Sequence, residues 1–175
     1  MSIYLTRDIK QDVKLEYSKE ESVYEDIIID IHDSLVLDIN KYDITNGYIL
    51  FFIGEYYEFK NINYNEMIKY YLMAIDKDNI CAMNNLAMYY ESIHDYDNTV
   101  KYYLMAIDKG CSSAMNNLGH YYFYDAYHDD DEMLKYFLMA IEYGNKTAMK
   151  NLGHYYSLIS DFVNAKKYTL MGQCD

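Results

Sequence analysis

The apolar positions of this chain recur in two alternating blocks. One reads Tyr70-Tyr71-Leu72-Met73-Ala74-Ile75-Asp76, returns unchanged at 102–108, and returns at 136–142 as Tyr-Phe-Leu-Met-Ala-Ile-Glu. The other reads Ala82-Met83-Asn84-Asn85-Leu86-Ala87-Met88-Tyr89-Tyr90, then Ala114 to Tyr122 with Gly119-His120, then Ala148 to Tyr156 with Gly153-His154. In the second block Ala114, Leu118, Gly119 and Tyr122 share one face of a 3.6-residue period, and Tyr102, Tyr103, Ala106 and Ile107 do the same in the first. Each repeat is therefore predicted to be two helices. Gly110 and Gly144 follow the first block, where a residue of positive φ ends a helix without a Cβ penalty, and Asp78 stands at the equivalent place. Gly54, Gly119 and Gly153 allow a neighbouring helix to approach closely, while Ala74, Ala106 and Ala140 keep the facing surface shallow enough for tyrosine rings.

Residues 1–45 lie outside the repeat. Ile3 and Leu5, then Val13, Leu15 and Tyr17, alternate as short strands would, yet two short strands alone are marginal, so irregular or helical structure is expected. Ser18 and Glu21 have capping-box spacing, and Val23, Ile27, Ile31 and Leu35 follow at four-residue steps. One or two helices over about residues 19–38 should cap the first repeat.

Composition then narrows the class. With 175 residues, 51% hydrophobic, the chain is long enough to bury a core without disulfides or a metal. Three distant cysteines fit a reducing compartment better than a disulfide framework. Met1 to Lys10 carries Arg7, Asp8 and Lys10 and does not read as a signal peptide, and the longest apolar run is Tyr48 to Ile53. Membrane crossing and secretion are not expected, and a cytoplasmic location is. The net charge of −13 is spread over the chain and opposes direct docking on nucleic acid.

The register Lys101-Tyr102-Tyr103-x-x-Ala106-Ile107-x-x-Gly110-x-x-x-Ala114-x-x-x-Leu118-Gly119-x-x-Tyr122, repeated from Lys69 to Tyr90 and from Lys135 to Tyr156, resembles the Sel1-like and tetratricopeptide repeats. Ile53-Gly54-x-x-Tyr57 opens the array and Lys167-Tyr168-x-Leu170-Met171 closes it. The resemblance implies an all-α fold, a right-handed α-solenoid of about four antiparallel helix pairs over residues 46–175, preceded by the helical extension of residues 1–45. The chain departs from the pattern where Asn79, Cys111 and Asn145 replace the tetratricopeptide proline. The Tyr, Asn, Ile, Asp and Lys bias without Pro or Trp is similar to that of repeat proteins of giant amoebal DNA viruses of the mimivirus type. That likeness implies a host-cytoplasmic role in virus–host interaction, virion or factory assembly, or virophage defence.

In such repeats the first helix of each pair lines a concave groove, with the residue before the signature Leu pointing into it. Here that residue is Asn85, Asn117 and Asn151, flanked by Asn84, Asn116 and Lys150, with Met88, His120 and His154 one turn on. Glu55 and Phe52 take their place in the first repeat. A side-chain amide can pair with both the N–H and C=O of an extended peptide. Equally, these amides can serve local packing or hydrogen bonding within the repeat. The expected function is a non-enzymatic adaptor for a protein or peptide partner. The alternative is a scaffold that dimerises through Tyr168, Leu170 and Met171 on the last helix.

Other constellations offer less. His128-Asp129-Asp130-Asp131-Glu132 resembles a set of hard metal ligands, but it precedes a helix, where acids complement the dipole. His120 and His154 lack the further ligands zinc requires, and no nucleophile, P-loop or dinucleotide motif occurs. No cofactor, metal or catalytic residue is expected.

Overall fold

Side-chain caps and glycine-type stops cut the apolar periodicity into helices at nearly regular intervals. The computed structural model describes residues 36–124 and 128–173 together with Ile27, Asp30, Ile31, Asp33 and Ser34. Within these the helices are α1 (Gly47–Phe59), α2 (Tyr64–Ile75), α3 (Ile80–Ser92) and α4 (Tyr96–Asp108), then α5 (Ser112–Tyr124), α6 (Asp130–Glu142), α7 (Lys146–Leu158) and α8 (Phe162–Met171). A 3₁₀ turn, Ile39–Lys41, precedes them. Among the described residues there is no strand, and within each compact unit adjacent helices pack consecutively, consistent with an α-solenoid of helical repeats. The second sequence block falls on α3, α5 and α7, and the first on α2, α4 and α6.

The boundaries have local causes. Asn63, Asn79, Asp95, Asp129, Asn145 and Asp161 each accept a hydrogen bond from the backbone N–H three residues on, satisfying a donor that the first helical turn leaves unpaired. Asn79 and Asn145, where tetratricopeptide repeats carry a proline, thus start helices by a side-chain cap. At the other ends, Asp78, Gly110 and Gly144 have φ of +59°, +84° and +78°. The next residue's N–H closes back onto Ala74, Ala106 or Ala140 at 3.1, 3.1 and 2.9 Å, the Schellman arrangement. The expected glycine stops are therefore present, and Asp78 adopts the same conformation despite its side chain.

The chain divides into two compact units, residues 1–93 and 94–175. In the first, α1 packs on α2 and α2 on α3. A Cβ at Gly54 would lie 2.5 Å from the Tyr71 ring, so glycine is what lets that fully buried ring sit against α1. Asn79 also donates from Nδ2 to the Gly47 carbonyl at 3.3 Å, tying the start of α3 to the start of α1. In the helix expected over about 19–38, the described positions Ile27, Asp30, Ile31 and Asp33 are helical and Ile31 is fully buried. The capping box and the alternating segment lie outside the described residues.

In the second unit α4 packs on α5, α5 on α6, α6 on α7 and α7 on α8, with α5 also touching α7. Gly119 repeats the device of Gly54: a Cβ there would be 2.8 Å from the Phe137 ring. Gly153 faces Thr169 instead, at 2.6 Å for the same construction. Asn145 donates to Ser112 Oγ at 3.3 Å, the counterpart of the Asn79 tie. Leu86, Leu118, Leu152, Ala74, Ala106 and Ala140 are all fully buried, as the apolar stripes require. No helix among the described residues is long and apolar enough to cross a membrane.

Candidate functional site

The tyrosine doublets settle into packing. The second tyrosine of a doublet stacks almost parallel on a tyrosine of the paired helix: Tyr57 on Tyr70 at 5.6 Å, Tyr122 on Tyr136 at 5.8 Å and Tyr156 on Tyr168 at 5.6 Å between centroids. Lys69, Lys135 and Lys167 each place Nζ 4.6 to 4.8 Å above the second ring of that stack. These rings thus serve helix pairing. Tyr168, expected in a dimer interface on the last helix, stacks on Tyr156 in this way and is half-exposed.

The asparagines divide into two groups. Asn84, Asn85 and Asn116 are buried, at 1, 6 and 8% exposure, where an open groove position was expected. The reason is contact with neighbouring helices. Asn85, on α3, donates from Nδ2 to the Tyr71 hydroxyl of α2 at 3.4 Å. In the second unit Asn151 of α7 donates to Asn116 Oδ1 of α5 at 2.9 Å, and Asn116 donates on to Asn117 Oδ1 at 3.4 Å. Part of the amide set therefore joins helices, as the packing alternative requires. Asn117 and Asn151 are half-buried, and Lys150, His120 and His154 are exposed. His120 leans on Tyr124, with ring centroids 4.4 Å apart. Met88, one turn along α3, is close enough for its sulfur to meet Asn84 Nδ2 at 3.4 Å.

Two features of the first unit were not singled out from sequence. Tyr71 donates to Glu58 Oε2 at 2.5 Å, so Asn85, Tyr71 and Glu58 form one chain of hydrogen bonds across three helices. Burial pushes the Glu58 carboxyl above its usual value, against the Tyr71 hydrogen bond, which lowers it. The Tyr71 phenol is driven well above its usual value by burial and by the charges of Glu58 and Glu55. The available signal was spacing: Glu58 lies one helical turn beyond Gly54, on the face that receives Tyr71.

The acidic run behaves as a helix start. Asp129 caps α6, Asp130, Asp131 and Glu132 fill its first turn, and Glu132 pairs with Lys135 at 2.8 Å. The Tyr155 hydroxyl donates to Asp130 at 3.2 Å and His128 Nδ1 meets the Phe123 carbonyl at 2.7 Å. No group of three or more metal-ligating side chains occurs among the described residues.

These features define an all-α protein of stacked helical hairpins with an amide- and histidine-bearing surface on its first helices. No family model matches the chain, and no curated protein does. Among solved structures it is similar to BtubC (BKLC) from P. vanneervenii, with a TM-score of 0.57 and 18% identity over 95% of this chain and 75% of that one. At that identity the likeness concerns the fold alone.

Proposed function

We propose that this chain is a Sel1-like or tetratricopeptide-type adaptor, a binding protein rather than an enzyme, whose first-helix surface holds an extended segment of a partner protein. The observation that carries the reading is the amide run Asn151–Asn116–Asn117, which spans α5 and α7 and ends in two half-buried amides beside Lys150, His120 and His154. Such amides meet peptide N–H and C=O groups without reading side chains, while the lysine and histidines set preference. Asn116 supports them from within the fold. A viral origin, with partners in a host cell, is the setting this reading proposes. Selection from a phage-displayed library of linear peptides tests it. The selected peptides should lose about tenfold to 100-fold in affinity when Asn117 and Asn151 are both changed to Ala, at unchanged helicity, because each lost neutral hydrogen bond is worth about 0.5–1.5 kcal/mol. A library that yields no binder, or binders indifferent to both changes, would sink it.

A second reading, the self-assembling scaffold, is favoured by the outer side of α8. Phe162 and Val163 are 72 and 81% exposed, and Leu170 and Met171 are exposed beside them. A two-fold pairing of this face would hide the patch. Light scattering should then report a dimer that Phe162→Glu converts to monomer; a monomer at high micromolar concentration removes this reading.

A further inference from the structure

Each second helix of a pair is received in the same way by the first helix that follows it. Its opening residue meets the first tyrosine of the next doublet. Tyr64 lies 5.4 Å from Tyr89 and Tyr96 6.2 Å from Tyr121 between ring centroids, and Asp130 accepts from the Tyr155 hydroxyl at 3.2 Å. Phe162 opens α8 at the equivalent place and is 72% exposed, and among the described residues no helix follows α8. Along the same face of α8 the chemistry changes. Ile68, Val100 and Leu134, none of them exposed, give way to the exposed Lys166, and Ile75, Ile107 and Ile141 to the exposed Gln173. Lys150 of α7 stands where Asn84 and Asn116 stand, and its Cγ is 3.0 Å from where a Cβ on Gly172 would be, so its stem lies against the end of α8. Residues 146–175 carry four lysines against two aspartates, in a chain of net charge −13. A further apolar helix docked here would bury Lys166 without a partner, whereas an acidic surface with an apolar centre would answer both Lys166 and Phe162.

We propose that the occupant is a second copy of this chain bound head to tail, the start of its first unit resting on the α7–α8 end of the other copy. That start has the complementary chemistry. Asp30, Asp33, Asp38 and Asp43 are exposed there, against Lys41 as the one base among the described residues before α1. Tyr42 donates to Asp30 at 2.7 Å, which holds the turn at Ile39–Lys41 to the residues around Asp30. Val36, 85% exposed between them, supplies an apolar partner for Phe162. The carboxylates of one copy then face Lys150 and Lys166 of the other. A two-fold pairing of α8 on α8 would instead bring Lys166 and Lys167 of both copies together, which like charge opposes. The contact is between copies and is independent of peptide binding by the first helices.

Sedimentation velocity of the full chain at about 150 mM salt tests this, since a screening length of about 8 Å weakens the long-range repulsion of two acidic copies more than it weakens paired side chains in contact. The average mass should rise with concentration and pass that of a dimer, because a head-to-tail contact leaves one head and one tail unused. It should fall back at about 1 M salt. A tail variant, Phe162→Ser with Lys166→Glu, and a head variant, Asp33→Lys with Val36→Lys, should each associate at least about tenfold more weakly than the natural chain. Both should keep its helicity, since all four side chains are exposed. Should either lose it, Lys166→Gln and Asp33→Asn are the milder pair. An equimolar mixture of the two variants should associate again, through the head of the first and the tail of the second. A natural chain that stays monomeric overturns the proposal, as does association that strengthens at about 1 M salt. A mixture of variants that stays monomeric also overturns it. So does a dimer that the tail variant breaks and the head variant leaves intact, which is the two-fold pairing. Neither variant touches Lys150 or the amides, so peptide selection through Asn117 and Asn151 succeeds or fails separately.

Discussion

Single atoms decide much of this fold, and glycine shows it best. At Gly119 a methyl group would stand 2.8 Å from the Phe137 ring, which is buried and cannot swing away. Gly119→Ala should therefore cost about 1–3 kcal/mol by overpacking, read as a lower urea midpoint. Gly144→Ala is a useful contrast, because nothing lies within 4 Å of its Cβ position and only its φ of +78° opposes the change. Charge enters at the same scale through Glu58. Its carboxyl is held above the ordinary value in the fold, so the folded chain binds a proton more readily than the unfolded one. The stability this provides is complete below the unfolded pKa and is lost as pH rises through the folded one. Denaturation profiles from about pH 4 upward should show that loss, and Glu58→Gln should remove it. Tyr42, pushed up to about 12 chiefly by burial and then by its bond to Asp30, adds a separate loss above about pH 10.

At the scale of elements, the helices owe their limits to short polar side chains. Six Asn or Asp residues cap them with the same three-residue reach, and three Schellman closures end them at alanines. Asp129→Ala should lower stability by about 0.5–2 kcal/mol through loss of the α6 cap. Because the acids there serve the helix, calcium or a chelator should leave the thermal midpoint where it was; a calcium-dependent rise would return the run to metal binding. Recurrent stacking adds a further device, in which a lysine covers a pair of near-parallel tyrosines. The stops at Gly110 and Gly144 could be read from residue types and spacing; the six caps have short polar residues as their signal but were not singled out. The stacking partner could not be read, since it lies on the next helix.

For the whole chain, the governing quantity is the charge of −13 against a core rich in tyrosine. Acids outnumber bases both in residues 1–45 and in the remainder, so self-repulsion opposes compaction at every pH well above the pI of about 4.6. Raising salt from about 10 mM to about 150 mM shortens the screening length to about 8 Å and should raise the thermal midpoint. An unchanged or lower midpoint would show that attractive charge pairs outweigh the excess. The ion pairs Glu66–Lys69 and Glu132–Lys135, both between neighbouring turns, are too solvated to reverse the expected sign.

Period and positive-φ positions are local properties, so residue types alone give the alternation of two kinds of helix, the stops at Gly110 and Gly144, and the buried stripe that holds Leu118. Close approach at Gly54, Gly119 and Gly153 was legible too, though the neighbour each one meets, Tyr71, Phe137 or Thr169, was not. Only the tertiary structure decided what each polar side chain meets. Asn85 and Asn117 hold equivalent places in the repeat, yet one is buried against Tyr71 and the other is half-open beside Asn116. Tyr103 stands before Asn117 as Tyr71 stands before Asn85, so residue type does not distinguish the two; what differs is that Asn116, beside Asn117, is met by Asn151, 35 residues away. Likewise the exposure of Phe162 and Val163 at the start of α8 follows from what packs there and not from their type. A periodic sequence assigns a side chain to a face; the helix that arrives opposite, from a distant part of the chain, decides whether that face is a core or a surface.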